Sequence, residues 1–359
     1  MTDSRKTVLV GIIGLLAAIF FAGRLLTEFD WNPTTTIKFG EELPEQVRYA
    51  RKLLGSDVVV AEDAGHDGKF FFSQAMDPFY LEPEIHAIHL DRPSYRAQRM
   101  LYPTLSSLGG LLGPTATAWG LLLLNILGMG VGTVITARLA VEMGLSPWFG
   151  LAFPLNPGLI AALYINGADI IAVAALLAAV LFAMRDKSGL TAGALTVSCL
   201  SRETMVLGAL GLIVYWIKTR GRAPKVLFVP LGAVAVWWLY VHLRLGDGLG
   251  QDTEALGFPL QGFIQAARGW LSSPDSLPDA LIGVILLYAS ISIAVRTIRR
   301  PTALGYAVAG FALLALILSE PVWARYFDSA RALAPVLTAY VLLVPAWHRA
   351  EKIEPLVPV

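Results

Sequence analysis

Acidic side chains and a histidine stand together in Glu62-Asp63-Ala64-Gly65-His66-Asp67-Gly68-Lys69, followed at once by Phe70-Phe71-Phe72. Carboxylates this close to apolar sequence suit proton transfer at a membrane surface. Within the run Asp67 is the first choice for a base. Gly65 and Gly68 flank it and permit a tight backbone excursion and close approach by a ligand. Glu62 and Asp63 nearby would raise its pKa by like-charge repulsion, toward the range in which a general base works near neutral pH. An Asp-Gly pair in a loop also forms turns with no chemistry. His66 lacks a second ligand at metal-binding spacing, which favours a structural histidine. The phenylalanines either anchor the loop at the membrane interface or pack a helix onto it.

The elements that must position these residues follow from composition. Hydrophobic residues make up 55% of the 359, charged residues 15%, and the mean hydropathy is +0.61, values of a chain whose solvent is mostly lipid. Apolar runs near the roughly 20 residues needed to cross about 30 Å of hydrocarbon recur along the chain. They are continuous rather than alternating, which disfavours a β-barrel. A net charge of +1 with no basic, aromatic-interleaved patch gives no sign of nucleic-acid binding. The lone Cys199 sits in an apolar stretch and reads as a small buried hydrophobe.

The first apolar run, Thr7 to Leu26, follows Arg5 and Lys6 and is too long for a signal-peptide core, so it is expected to stay as a signal anchor. Cationic residues accumulate on the cytoplasmic side. Placing Arg185 and Lys187, Lys218 to Lys225, Arg296 to Arg300, and Arg349 and Lys352 all inside gives one threading. Its further spans lie near 116–138, 147–165, 167–184, 190–201, 203–217, 224–243, 278–296, 302–319 and 331–348. The expectation is an all-α polytopic membrane protein forming a single membrane domain over 1–359. It has about ten transmembrane helices and both termini in the cytoplasm. Residues 28–100 form a long first external loop with interfacial helices, and 244–277 a second. Leu101 to Gly113 is too short to cross and reads as a helix in or dipping into the outer interface. The spans 190–201 and 203–217 meet at Ser201-Arg202-Glu203-Thr204, an interruption of the kind that lines a site.

This threading gathers the remaining polar residues on the outer side: Arg92, Arg96 and Arg99; Asn156, Asn166 and Asp169; Arg202 and Glu203; His242 and Arg244; Glu320, Arg325, Tyr326, Asp328 and Arg331. Ionisable groups at membrane depth mark pathways and sites. Each has a plainer reading as well. Arg92, Arg96 and Arg99 form a helical stripe that solvent or lipid phosphates would satisfy, leaving one of them for a substrate. Asp169 is placed to cap a helix beginning near Gly167. Arg202 and Glu203 read equally as a charged pair ending two helices. Trp237 and Trp238 read as interfacial anchors, and Gly246-Asp247-Gly248-Leu249-Gly250 as a flexible external linker.

The succession G-H-D-G-K-F-F-F-S-Q-A-M-D-P-F, D-R-P-S-Y-R-A-Q-R-M-L-Y-P, L-N-P-G-L and L-S-R-E-T-M resembles a bacterial branch of the GT-C class of integral membrane glycosyltransferases, that of cell-surface glycopolymer formation proteins. The likeness runs from about residue 7 to about residue 245. His66, where the class has an aromatic, and Lys69, where it has Gln, depart from the pattern. The resemblance implies a cytoplasmic (inner) membrane enzyme with its active site on the outer face. It implies a polyprenyl-phosphate-linked sugar donor, a glycan or lipid acceptor, and catalysis at Asp67, with Asp63 a second candidate. Asp67 would deprotonate the acceptor hydroxyl during inverting attack, and arginines would stabilise the lipid phosphate that leaves. Arg202 comes first for that role, then Arg325 and Arg331, with one of Arg92, Arg96 or Arg99 closing the site. Asp169, Glu203, Tyr326 and His66 complete the expected substrate contacts. The class admits a divalent metal, but the sequence offers no ligand set, and no cofactor is expected. Two other functions compete: a lipid-linked sugar flippase, against which the lack of a clear internal repeat and the scarcity of ionisable residues in the cytoplasmic half argue, and a non-catalytic partner in a glycopolymer assembly complex.

Overall fold

The computed structural model describes residues 2–82, 93–246 and 256–353. Arg92 and most of the Gly246 to Gly250 run lie outside them. Along the chain, α1 (Asp3–Thr27) is followed by α2 (Pro44–Leu54), α3 (Gly68–Met76), α4 (Pro93–Arg96), α5 (Leu101–Ser107) and α6 (Pro114–Glu142). Then come α7 (Pro157–Tyr164), α8 (Asp169–Met184), α9 (Ser188–Ser201), α10 (Val206–Arg220) and α11 (Val229–Leu245). The last are α12 (Gln261–Ser272), α13 (Leu277–Arg299), α14 (Ala303–Ile317), α15 (Glu320–Ala324), α16 (Tyr326–Ala332) and α17 (Ala334–Ile353). The strands among the described residues are a two-residue parallel pair, β1 (Phe39–Gly40) with β2 (Val60–Ala61).

Among the described residues four helices are long and apolar enough to cross a membrane: α1, α6, and the stretches Lys225–Leu245 and Pro274–Arg299 that contain α11 and α13. A fifth is reached if α16 and α17, bent by 68° at their junction, count as one span. Local chemistry fixes several starts. Pro114 and Pro157 open α6 and α7, where a missing N–H costs nothing. Asn156 caps α7 by accepting from the Gly158 N–H, and Thr302 caps α14 by accepting from that of Gly305.

At the centre lies α8, buried almost all round by α6, α9 and α14, as expected of a helix apolar on every face. Its two ends carry different chemistry. At the C-terminal end Arg185 pairs with Glu142 (2.7 Å), Arg220 with Asp186, Arg349 donates to the Gly144 carbonyl and Arg300 to that of Trp347. At its N-terminal end, about 24 Å away over 16 residues, stand Asp169 and the acid and arginine cluster described below.

The 28–82 segment seats on this end through a second apolar cluster: Ile37, Phe39, Phe71, Phe72, Tyr102 and Leu121. Phe72 is fully buried and Phe71 meets Tyr102 edge to face at 5.2 Å. Burial of each such ring contributes about 1.5–3 kcal/mol. Of the two readings of Phe70 to Phe72, the structure therefore has the helix-packing one. Leu101 to Gly113 becomes α5 and a 3-10 turn, Leu108–Leu112, with Tyr102 and Ser106 turned inward and Leu108, Leu111 and Leu112 exposed. At Trp237, read above as an interfacial anchor, the indole N–H donates to the Ala97 carbonyl (2.8 Å) and the ring stacks with Tyr240, joining α11 to the loop before α5. Within the 244–277 loop, the described residues from 256 on contain α12 and hydrogen-bond to the end of α14 through Gly257 and Leu260.

Candidate functional site

Gly65 turns the chain with φ +72°, its N–H bonded to Asp63 Oδ1 (2.8 Å), and the His66 N–H reaches the Lys38 carbonyl at 2.9 Å. Gly68 then packs backbone on backbone, for a Cβ there would lie 2.6 Å from the Ile165 oxygen and 2.7 Å from that of Ile37. The close approach that this glycine permits is thus to the chain's own backbone. Asp67, at the start of α3, makes no capping bond with its side chain. Its carboxylate is aimed into the protein.

Three arginines meet it there. Arg331 Nη2 lies 2.6 Å from Asp67 Oδ2, Arg96 Nη1 2.9 Å from Oδ1 and Arg99 Nη1 3.5 Å from Oδ2. Arg331 and Arg99 are each held a second time. Arg331 donates from Nε and Nη2 to Asp169 Oδ2 at 3.3 and 3.2 Å. Arg99 forks onto Glu203 through Nε (2.8 Å) and Nη2 (2.9 Å), and Nη2 also reaches the Tyr95 hydroxyl at 2.8 Å. Arg96 lies over the Phe70 ring at 4.1 Å. Arg202 contacts Asp169, while its own Nε is buried with no hydrogen-bond acceptor among the described residues. Asp328 also reaches Arg331 (4.0 Å), so four guanidinium groups face four carboxylates here.

All of these groups but Asp169 line one cavity of about 380 Å³. Its cationic wall carries Arg96, Arg99, Arg202 and Arg331, and its opposite wall Leu256, Leu314, Leu318 and Val322. His66, Arg325 and Asp328 form part of its boundary, with His66 Nε2 3.7 Å from Asp328 and Arg325 3.1 Å from the same carboxylate. An apolar groove of about 820 Å³ lies beside it, between Met100, Leu200 and the α11 residues Val229, Val236, Trp237 and Tyr240. Met100 and Leu200 stand one and two residues from Arg99 and Arg202.

Electrostatics follow from this geometry. Burial disfavours the charged form of Asp67, but Arg331, Arg99 and Arg96 outweigh it and hold the carboxyl well below its ordinary value of 3.8. The expectation of a carboxylate with raised pKa is thereby corrected: sequence neighbours Glu62 and Asp63 do not line the cavity, and the groups that face Asp67 are cations. Desolvation, with Arg331 and Arg325, lowers the pKa of His66 against the opposing pull of Asp67 and Asp328. Its Nδ1 accepts the Asp67 N–H (3.0 Å), leaving Nε2 for Asp328. Burial alone would depress Arg99, yet Glu203 and Tyr95 raise it well above the ordinary guanidinium value.

Of the expected site residues, Asp67, His66, Arg99, Arg202, Glu203, Arg325 and Arg331 line the cavity, and Asp169 stands behind them as a shared acceptor. Asp63 is exposed and spends its carboxylate on the Gly65 turn. Tyr326 is absent from the lining, its backbone N–H tied to Asp279 (2.6 Å). Arg92 lies outside the described residues. Asp169 does not cap α8, whose N-cap is Ala168, and Arg202 and Glu203 engage separate partners rather than each other. Arg96 and Asp328, named above among the outer polar residues, line the cavity too, and Tyr95 joins the site without having been singled out. The arginine stripe held the signal for Arg96, since both of its described members reach Asp67. Nearby Asn166 and Asn156 are structural, donating to Thr36 and to Thr338 with the Ala334 carbonyl.

The donor set does not suit a divalent cation, because the carboxylate oxygens of Asp67, Asp169 and Glu203 already face guanidinium groups that would repel it. It suits an anion with several oxygens. No protein-family model, curated protein or solved structure matches the chain.

Proposed function

We propose that the protein is a GT-C-type glycosyltransferase. It would move a sugar from a polyprenyl-phosphate-linked donor to a glycan or lipid acceptor at the outer face of a bacterial cytoplasmic membrane. One observation carries the reading: Asp67, Arg99, Arg202 and Arg331, which come from distant parts of the chain, share one cavity beside an apolar groove. A lipid-linked phosphate needs that combination, with guanidinium groups for the head and apolar wall for the tail.

In the proposed step the acceptor oxygen bonds to the anomeric carbon from the face opposite the phosphate. The bond from that carbon to the phosphate oxygen breaks with inversion, and the hydroxyl proton passes to Asp67. The leaving lipid phosphate gains negative charge, which Arg331, Arg99 and Arg202 meet. Asp169, Glu203 and Tyr95 keep those arginines in place before substrate arrives.

The ten-pass threading, with both termini inside and the cavity on the outer face, is part of the proposal. Supporting it, the basic residues assigned to the cytoplasm gather at one end of α8 and the cavity lies at the other. Helices α8, α9 and α14 have 16, 14 and 15 residues, or roughly 21–24 Å against about 30 Å of hydrocarbon. Their ends at the cavity would stop short of the membrane surface and leave a recess beneath the 28–82 segment.

The test is transfer from a polyprenyl-phosphate sugar by purified protein. Asp67→Asn should abolish transfer in a protein that remains folded; normal turnover by that variant sinks the proposal. An assembly partner would instead show intact polymer and a disrupted complex in an Asp67→Asn strain.

A further inference from the structure

The transferase reading asks Asp67 to accept a proton, yet three guanidinium groups occupy its oxygens. A carboxylate so held is a poor base. The way the arginines are tethered resolves the conflict. Arg331 keeps two contacts to Asp169, and Arg99 keeps its fork onto Glu203 and its bond to Tyr95, whether or not either touches Asp67. Neither arginine depends on Asp67 for its place. Arg96 is different in kind, since it reaches the other oxygen of Asp67 and rests on Phe70, a ring within the same helix α3. Arg202 adds a buried Nε–H with no acceptor among the described residues, on the same wall.

We infer that a phosphodiester bound in this cavity displaces the Asp67 carboxylate from Arg331 and Arg99, so that donor binding itself frees the base, while Arg96 stays on Asp67 as a positioning residue. Phosphate and Asp67 Oδ2 then compete for the same two guanidinium groups, and Asp169, Glu203 and Tyr95 hold those groups fixed through the exchange. The inference rests on the transferase reading for its consequence, the activation of Asp67, and on the cavity alone for the competition. It gives the reaction an order. Acceptor entering before the donor meets a carboxylate still engaged on both oxygens, and the proton has nowhere to go.

Competition has a sign that a supporting role does not. If Asp67 opposes the phosphate, removing its charge strengthens binding; if Asp67 holds the arginines ready, removing it weakens binding. By reciprocity between coupled sites, a partner exchange that changes the carboxylate pKa by one unit changes phosphate affinity tenfold. The experiment titrates full-length protein in nanodiscs with a short-chain isoprenyl methyl phosphodiester, a single-charge probe with no sugar to transfer. Asp67→Asn is expected to bind it at least about tenfold more tightly than wild type, while Arg331→Gln and Arg99→Gln bind it more weakly. Equal or weaker binding by Asp67→Asn overturns the inference. Should that variant not fold, isotope-edited infrared difference spectra of wild type with ¹³C-labelled aspartate decide. The probe should shift one carboxylate band as guanidinium bonds are lost, and an unchanged band overturns it. A wild type that shows the competition but transfers no sugar would refute the transferase reading and leave the anion exchange standing.

Discussion

Asp169→Asn tests whether the buried cluster behaves as a charge-balanced unit. The Asp169 side chain is 2% exposed; its Oδ2 takes Arg331 at 3.2 and 3.3 Å and its Oδ1 faces Arg202. Arg331 has a second carboxylate in Asp67 at 2.6 Å, so the loss falls mainly on Arg202, whose remaining surroundings in the cluster are arginines and the carboxylate that Arg99 already holds. Asparagine keeps one acceptor oxygen but turns an amide donor toward a guanidinium donor. Breaking a buried pair by removing one partner costs about 3–5 kcal/mol, because the other charge stays buried and uncompensated. The same cost disappears if that charge is removed too. Asp169→Asn is therefore expected to lose about 3–5 kcal/mol, and Asp169→Asn with Arg202→Met to regain more than about 1 kcal/mol of it, the mark of direct coupling in a double-mutant cycle. Cys199, the single cysteine and 1% exposed, supplies the assay: its reaction with a thiol-reactive dye reports unfolding as detergent-solubilised protein is heated. A single variant as stable as wild type, or a double variant no more stable than the single one, would refute the reasoning.

Three further outcomes follow from named contacts. Because the folded-state pKa of Asp67 is depressed, its contribution to stability is present above the ordinary carboxylate value of 3.8 and is lost as pH falls through the folded value. Asp67→Asn should flatten the acid limb of stability against pH, and an unaltered limb contradicts the clamp. Tyr102 donates to the Leu121 carbonyl (2.8 Å) and accepts from Asn125 (2.9 Å) in a fully buried site, so Tyr102→Phe should cost about 1–3 kcal/mol in the same dye assay. At Gly68 an added methyl would meet the Ile165 and Ile37 carbonyls; Gly68→Ala should raise the protease sensitivity of the 28–82 segment while leaving the α8 core protected, and equal digestion of both proteins argues against that packing.

Much of the scaffold was legible because it depends on local properties. Uniform apolarity predicted helices, the short polar break after Ser201 predicted where α9 stops, and Gly65 with Gly68 predicted the sharp turn carrying Asp67. The direction of a side chain was not legible. Asp169 stands where a helix cap would serve, yet its carboxylate leaves its own helix for Arg331, 162 residues away. The partner of the Trp237 N–H, a carbonyl 140 residues earlier, was equally invisible along the chain.

The same limit explains why the chemistry of Asp67 came out with the opposite sign. Along the sequence its nearest charged neighbours are Glu62, Asp63 and Lys69, and summing them suggests a carboxyl pushed upward. In the fold Asp63 is turned to solvent, and the nearest charges arrive from residues 29, 32 and 264 positions away. Coulomb energy depends on distance in space and on local dielectric, so the acid-rich motif and the arginine-held carboxylate are one residue seen in two metrics. A base assigned from sequence neighbours would be active before any substrate arrives. The same aspartate under Arg96, Arg99 and Arg331 must first be released, and the second carboxylates behind Arg99 and Arg331 make an anion the chemically suitable agent of release.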